Sequence, residues 1–266
     1  MCLGRASLLA KFYKERMVEI YMKKRAQVAI FVIVGLMIVS AILIYFLLVN
    51  PSTSLTGSAT LDFDACVQEV VDDAIDELGA NAGYVDPELT YRYNGDEFTY
   101  LCYTNEYYEA GTIQKAFLKQ FFEDSLELKT KEGIESCYDN SIKDLKDQGY
   151  EVAEGDVDYN ISLEPSMVSV QIKAPTSVEG KGYTNFLVVS AVPIYDILMI
   201  ATSIVQYETR FGDSDTDSLR LLYPDFSFRK VKRSDGTKVY FIESYDVGTV
   251  FKFASRSYAY PSGYFS

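Results

Sequence analysis

The chain has 266 residues, is 48% apolar, and carries 25 basic and 38 acidic side chains for a formal charge of -13. That length and apolar share suffice for a real core and exclude disorder as the main state. The acidic balance leaves no general attraction for a phosphate backbone, so nucleic-acid binding is not expected. Neither histidine nor tryptophan occurs, which excludes Ser-His-Asp and Cys-His catalysis, HExxH zinc chemistry and any histidine-ligated metal or haem.

The N-terminal 26 residues hold seven basic side chains, from Arg5 to Arg25, against only Glu15 and Glu19. An uncharged run of 22 residues follows, Val28 to Val49, with Ser40 its only markedly polar side chain. As a helix it is roughly 33 Å long, enough for a hydrocarbon core of about 30 Å. The expectation is a single transmembrane helix over 27–49, behind a basic cytoplasmic leader over 1–26 and ahead of a turn-rich tether over 50–61. The basic cluster places the N-terminus in the cytoplasm and everything after Val49 outside, anchored in the plasma membrane. A cleaved secretory signal is the competing reading. Its apolar core is usually about 7 to 15 residues, shorter than this run, although the polar stretch Asn50 to Ala59 would admit a less specific protease.

The junction Lys23-Lys24-Arg25-Ala26-Gln27-Val28-Ala29-Ile30-Phe31 resembles the archaeal class III, type IV prepilin-like signal, where a basic pair and a small residue precede a glutamine that opens the hydrophobic helix. The resemblance implies a prepilin-type peptidase as partner, cutting on the cytoplasmic side between Ala26 and Gln27. Many filament-forming members carry an acidic residue at the fifth mature position, where this chain has Phe31. The stretch is also similar to the start of single-pass surface proteins from small-genome archaea. There a Cys-bearing amphipathic helix ending in a glycine-tyrosine turn follows, as Cys66 and Gly83-Tyr84 do here. Met22 would begin a five-residue leader of the compact kind found with such signals, with Met17 a second candidate start. The cut removes seven basic and two acidic side chains and leaves 18 basic and 36 acidic ones, a charge of -18.

In chain order, Phe63, Cys66, Val67, Val70, Val71, Ala74, Ile75 and Leu78 recur at helical spacing and predict an amphipathic helix over 62–78, closed by Gly79. The runs 89–93 and 97–103 flank Asn94-Gly95, a type I′ hairpin signature. Helices are expected at 112–128, with Ile113, Ala116, Phe117 and Phe121 inward, and at 133–148, ended by Gly149. Strict alternation on both sides of Glu164-Pro-Ser166 predicts two half-buried antiparallel strands. A strand over 183–192 then meets Pro193, which suits the first turn of a helix running to about Phe211. Strands at 226–232, 238–244 and 250–258 complete an α+β ectodomain with mainly antiparallel pairing. It spans 62–266, with a candidate seam near 147–155 and no repeat of fixed period.

Cys2 lies in the leader, while Cys66, Cys102 and Cys137 lie outside, where disulfides persist. Cys66 and Cys137 fall on apolar faces of predicted helices and are the favoured pair. Three reduced thiols, or a pairing through Cys102, are the alternatives.

Three further constellations qualify as sites. Asp213-Ser-Asp215-Thr-Asp217 has the opening spacing of a calcium loop, but Ser218 replaces the turn glycine and Pro224 the bidentate glutamate. The sequence therefore supports either a polar loop or a weak Ca²⁺ site. Tyr91, Tyr93, Tyr107 and Tyr108 crowd one hairpin and its exit and form a candidate contact surface, since tyrosine offers rigid amphipathic area. Asn160-Ile-Ser162 is a glycosylation sequon on a predicted strand. No carboxylate pair is selected by spacing, so neither catalysis nor a cofactor is expected. The function expected is a bilayer-anchored surface protein whose ectodomain contacts the envelope, a neighbouring cell or itself through a protein or glycan partner. The alternative is a subunit of a type IV pilus-like filament.

Overall fold

The computed structural model describes residues 36–40, 63–106 and 109–258. The chain divides into two compact units, Met1–Ser58 and Ala59–Ser266. In the first, residues 36–40 are helical, with Leu36 and Met37 each 64% exposed. The rest of the 27–49 span, and Ala26 and Gln27, lie outside the described residues. Among the described residues no helix is long and apolar enough to cross a membrane.

The second unit is α+β, with two mainly antiparallel sheets. Its helices are α1 (Asp64–Ala80), α2 (Leu118–Asp147), α3 (Ile194–Phe211) and α4 (Thr216–Leu222). The larger sheet runs β1 (Thr90–Tyr93), β2 (Asp96–Tyr103), β10 (Val250–Arg256), β9 (Thr237–Ser244) and β8 (Phe226–Lys232), with the short β3 (Thr112–Ile113) also on β2. The smaller sheet centres on β6 (Met167–Val178), paired with β7 (Lys181–Ser190), β5 (Asp158–Glu164) and the short β4 (Val152–Ala153). The one parallel pairing among these strands joins β2 to β10 and shifts register between Ala254 and Ser255. The predicted turns form as the local chemistry requires. Asn94 and Gly95 take φ of 53° and 95°, both positive as type I′ demands, and Ser166 takes φ 62° after Pro165.

The helices depart from expectation in their extents. The segments predicted at 112–128 and 133–148 are one helix of 30 residues, α2, and residues 112–113 before it are strand β3. Gly133 lies inside α2, where a Cβ would stand 2.6 Å from Val70 Cγ1. Gly79 lies inside α1, where a Cβ would stand 2.5 Å from the Val250 carbonyl oxygen. Both are close-approach positions, one for helix on helix and one for helix on sheet. Helix α1 ends instead at the Ala82-Gly83 turn, where Gly83 N–H donates to Leu78 O at 2.7 Å. The start of α2 is also rotated from the expected phase. Leu118 and Phe122 are buried, while Phe117 is 80% exposed. At 147–155 the chain turns through Gly149 (φ 93°) from α2 into β4 within one compact unit.

A single core joins α1, α2 and α3 to the inner faces of both sheets. Helix α3 touches β2, β9 and β10 of the large sheet and β5 and β6 of the small one, and its buried set from Ile194 to Val205 follows the expected stripe. The free edge of β5 is covered by α2. Ile161 N–H donates to Glu127 Oε1 at 3.0 Å and Leu163 N–H to Glu123 Oε1 at 2.8 Å. Two helix carboxylates thus take the ladder donors that an open edge would offer to another chain.

Candidate contact surface

The large sheet has two faces of different character. Its inner face (Leu101, Tyr240, Ile242, Phe251, Phe253) belongs to the main core, while its outer face builds a second cluster from Phe98, Tyr100, Val239 and Ala254, with Tyr91, Tyr93, Tyr103, Val231 and Phe241 partly buried around it. Alternation decides this, because cross-strand partners share a face. Tyr91 stands opposite Phe98, Lys252 opposite Phe241, and Phe241 opposite Arg229. The row across β1, β2, β10, β9 and β8 therefore reads Tyr91, Phe98, Lys252, Phe241, Arg229, with rings interleaved by cations. The next rows bring Tyr100, Ala254, Val239 and Val231, then Arg256 opposite Thr237.

The cations lie on the rings. The Arg229 guanidinium is 3.7 Å from the Phe241 centroid, Lys252 Nζ is 5.2 Å from that of Phe98, and the Arg233 guanidinium is 5.4 Å from that of Tyr93. Such contacts contribute about 0.5–1 kcal/mol each at exposed sites and restrict where the charged heads can sit. Arg233 Nε also donates to Tyr91 Oη at 3.3 Å, and this hydrogen bond raises the Arg233 pKa. Tyr100 Oη bonds Thr237 Oγ1 at 2.9 Å, and burial pushes its pKa up to about 12. Among the described residues no carboxylate is ion-paired with Arg229, Arg233, Lys252 or Arg256. Arg256 Nε is buried with no acceptor among them. The acids on this face stand at its margins: Asp96 and Glu243 near strand ends, and Asp235 in the β8–β9 turn, bonded to Thr237 and close enough to Arg233 and Arg256 for its charge to act on both without an ion pair. A chain of net charge -13 thus presents one basic, aromatic face.

The predicted site residues fall in different places. Tyr91 and Tyr93 are on this face; Tyr107 and Tyr108 lie outside the described residues. The three aspartates do not converge. Asp213 pairs with Lys230 at 2.9 Å and with Lys232. Asp215 caps α4 by accepting from the Asp217 backbone N–H at 3.0 Å, and Asp217 pairs with Arg220 at 2.6 Å. The segment read as a polar or calcium loop is a loop plus a capped helix, and among the described residues no group of three or more acidic or cysteine side chains is placed to hold a metal. Burial raises the Asp213 pKa, but hydrogen bonds from Lys232 and Lys230 outweigh it and leave the carboxyl below its ordinary range. Hydrogen bonds from the Ser218 hydroxyl and the Asp217 N–H lower that of Asp215.

Cys66 and Cys137 form a disulfide between α1 and α2, with Cα atoms 5.8 Å apart. Cys102 is a buried free thiol whose pKa burial pushes up to about 11, which keeps it a protonated, unreactive thiol. Asn160 is exposed on β5 and lines an open groove of about 600 Å³ with Phe117, Glu127 and Met199.

Sequence reasoning missed the buried ion pair of α3. Glu208, 0% exposed, accepts from Lys238 Nζ, from Tyr240 Oη, from Ser255 Oγ at 3.1 Å and from Ser214 N–H at 3.0 Å. Lys238 completes its three donor bonds on the Gly212 carbonyl at 2.6 Å and the Ser257 carbonyl at 3.2 Å. Burial, then the Glu208 charge, drives the Tyr240 pKa upward. Every member is satisfied, so the cluster clamps α3 to β9 and β10. The alternating cations Arg229/Arg233 and Lys252/Arg256 were available as a period-2 signal; Glu208 and Lys238 had none.

No protein-family model, curated protein or solved structure matches the chain.

Proposed function

We propose that the protein is a membrane-anchored surface protein whose extracytoplasmic α+β domain makes a non-catalytic contact through the outer face of its large sheet. The anchor rests on the uncharged run Val28 to Val49 and the basic leader before it. The observation that carries the contact role is the set of four cations without carboxylate partners among the described residues, three of them held over aromatic rings. Folding alone gives no reason to gather like charges on one face of an acidic chain, whereas an anionic partner relieves them all at once. The disulfide suits an oxidising exterior, and the Asn160 sequon, exposed on the small sheet, is open to glycosylation. In this reading the prepilin-type peptidase trims the leader between Ala26 and Gln27 and leaves the helix as the anchor.

Two measurements test the reading. Protease added to intact cells should remove the ectodomain and leave the membrane-embedded helix. Cells carrying Arg229→Gln, Arg233→Gln and Lys252→Gln together should display the protein at wild-type level yet lose attachment to surfaces or neighbouring cells. Protection of the ectodomain overturns the topology, and unchanged attachment overturns the contact face. Recovery of the chain in sheared cell-surface filaments would establish the filament-subunit alternative instead.

A further inference from the structure

The outer face of the large sheet sets rings and cations in a definite order, and the order narrows what the face can bind. We infer that it takes a linear acidic polysaccharide, a polymer of pyranose rings bearing carboxylate or sulfate groups. This inference rests on the proposed contact role.

Three features select the chemistry. First, the charge is complementary: Arg229, Arg233, Lys252 and Arg256 share one side of the sheet, with no carboxylate paired to them among the described residues. The Arg229 guanidinium is held over the Phe241 ring, its Cζ 3.7 Å from the centroid. A guanidinium held in place offers a carboxylate or sulfate a bidentate partner at a smaller ordering cost than a free side chain would.

Second, the cations are separated by rings rather than clustered. Lys252 on β10 and Arg229 on β8 have β9 between them, a separation of about 10 Å at the usual strand spacing, with Phe241 in the gap. A polymer crossing the strands would meet ring and charge in alternation. Sugar rings present apolar C–H faces to aromatic side chains and carry their anions at the rim, which matches that order. An acidic protein surface brings carboxylates on flexible stems but no flat apolar face to lie against the half-buried rings of Tyr91 and Tyr103.

Third, the surface is already ordered. The floor of Phe98, Tyr100, Val239 and Ala254 is buried, Arg233 is tied to Tyr91, and Tyr100 to Thr237. Little side-chain freedom remains to be lost on binding.

The test uses the full chain in detergent micelles, with polygalacturonate as the probe and dextran as the neutral control. Wild type should bind polygalacturonate in low salt, bind at least about tenfold more weakly when salt is raised to screening concentrations, and leave dextran unbound. Arg229→Gln with Lys252→Gln should weaken binding at least about tenfold, and Phe241→Leu should weaken it too, with the charge variants still folded and unfolding in one cooperative thermal transition a few degrees lower at most. Equal binding of dextran, no binding of polygalacturonate, or binding indifferent to the charge variants overturns the inference. Vesicles of anionic lipid and sedimentation of the chain alone are run beside it. Variant-sensitive binding to vesicles only, or variant-sensitive self-association only, would replace the polysaccharide by a lipid surface or a second copy. If polygalacturonate binding fails while the triple variant still loses cell attachment, the polysaccharide is wrong and the contact face stands; if attachment is also unchanged, the contact reading itself is wrong.

Discussion

Replacing Glu208 by Leu tests whether the buried ion pair fastens α3 to the large sheet. In the native protein the Glu208 side chain is 0% exposed and that of Lys238 9%. The substitution leaves the Lys238 ammonium with only the Gly212 and Ser257 carbonyls, and it strips the acceptor from Tyr240 Oη, Ser255 Oγ and the Ser214 N–H. Breaking a buried pair from one side costs about 3–5 kcal/mol, and an orphaned donor about 1–3 kcal/mol. These contributions overlap because the donors converge on one carboxylate, so the expected loss is about 4–5 kcal/mol, a large share of the roughly 5–15 kcal/mol that holds a domain folded. Adding Lys238→Met removes the stranded charge while Tyr240 and Ser255 still lack an acceptor, so the double variant should lose only about 1–3 kcal/mol. Urea unfolding of the full chain in detergent micelles, followed by near-UV circular dichroism of the tyrosines, reads both values and the coupling between them. A single-variant loss below about 1 kcal/mol, or a double variant as unstable as the two singles summed, would refute the clamp.

Removing the disulfide with Cys66→Ala and Cys137→Ala opens a loop of sequence separation 71 and should cost on the order of 4 kcal/mol by loop-closure entropy; non-reducing peptide mapping of the wild type should recover the linked pair. Gly133→Ala puts a methyl 2.6 Å from Val70 Cγ1 and should destabilise by about 1–3 kcal/mol, with partial rescue by Val70→Ala. A Gly133→Ala variant as stable as wild type would show that the helices part freely. Asp213, its pKa held down in the folded state, contributes stability that is present above the unfolded carboxylate value of about 3.9 and is lost as pH falls through the lower folded value. Asp213→Asn should therefore lower stability at neutral pH, and its difference from wild type should shrink as both are acidified below about pH 4; a constant difference would remove the ion-pair assignment.

Glycine placement separates what a local pattern conveys from what it leaves open. Gly79 reads as a helix stop because glycine disfavours helix interiors, yet it and Gly133 both sit within helices where another element approaches too closely for a Cβ. Only the neighbour, Val250 in one case and Val70 in the other, makes glycine the residue that fits. The aspartates of 213–217 teach the same lesson from the opposite side. Their alternate spacing resembles a calcium loop, but Lys230, Lys232 and Arg220 divide them among separate partners, two of which arrive from β8.

Local periodicity determined a great deal. The apolar stripes of α1 and α3, the alternation of β5 and β6, the Asn94-Gly95 turn and the facing of Cys66 and Cys137 across two helices all follow from spacings of a few residues, and these features form as the spacing requires. The tertiary structure decided what depends on residues far apart in the chain. The parallel pairing of β2 with β10 sets Tyr100 against Ala254, and it brings the Tyr91 hairpin beside Lys252, Phe241 and Arg229 to make one basic aromatic face. The Glu208–Lys238 pair likewise closes across 30 residues. A periodic pattern states which side of an element is apolar, but not which element it will meet, because that choice is settled by packing the whole core at once.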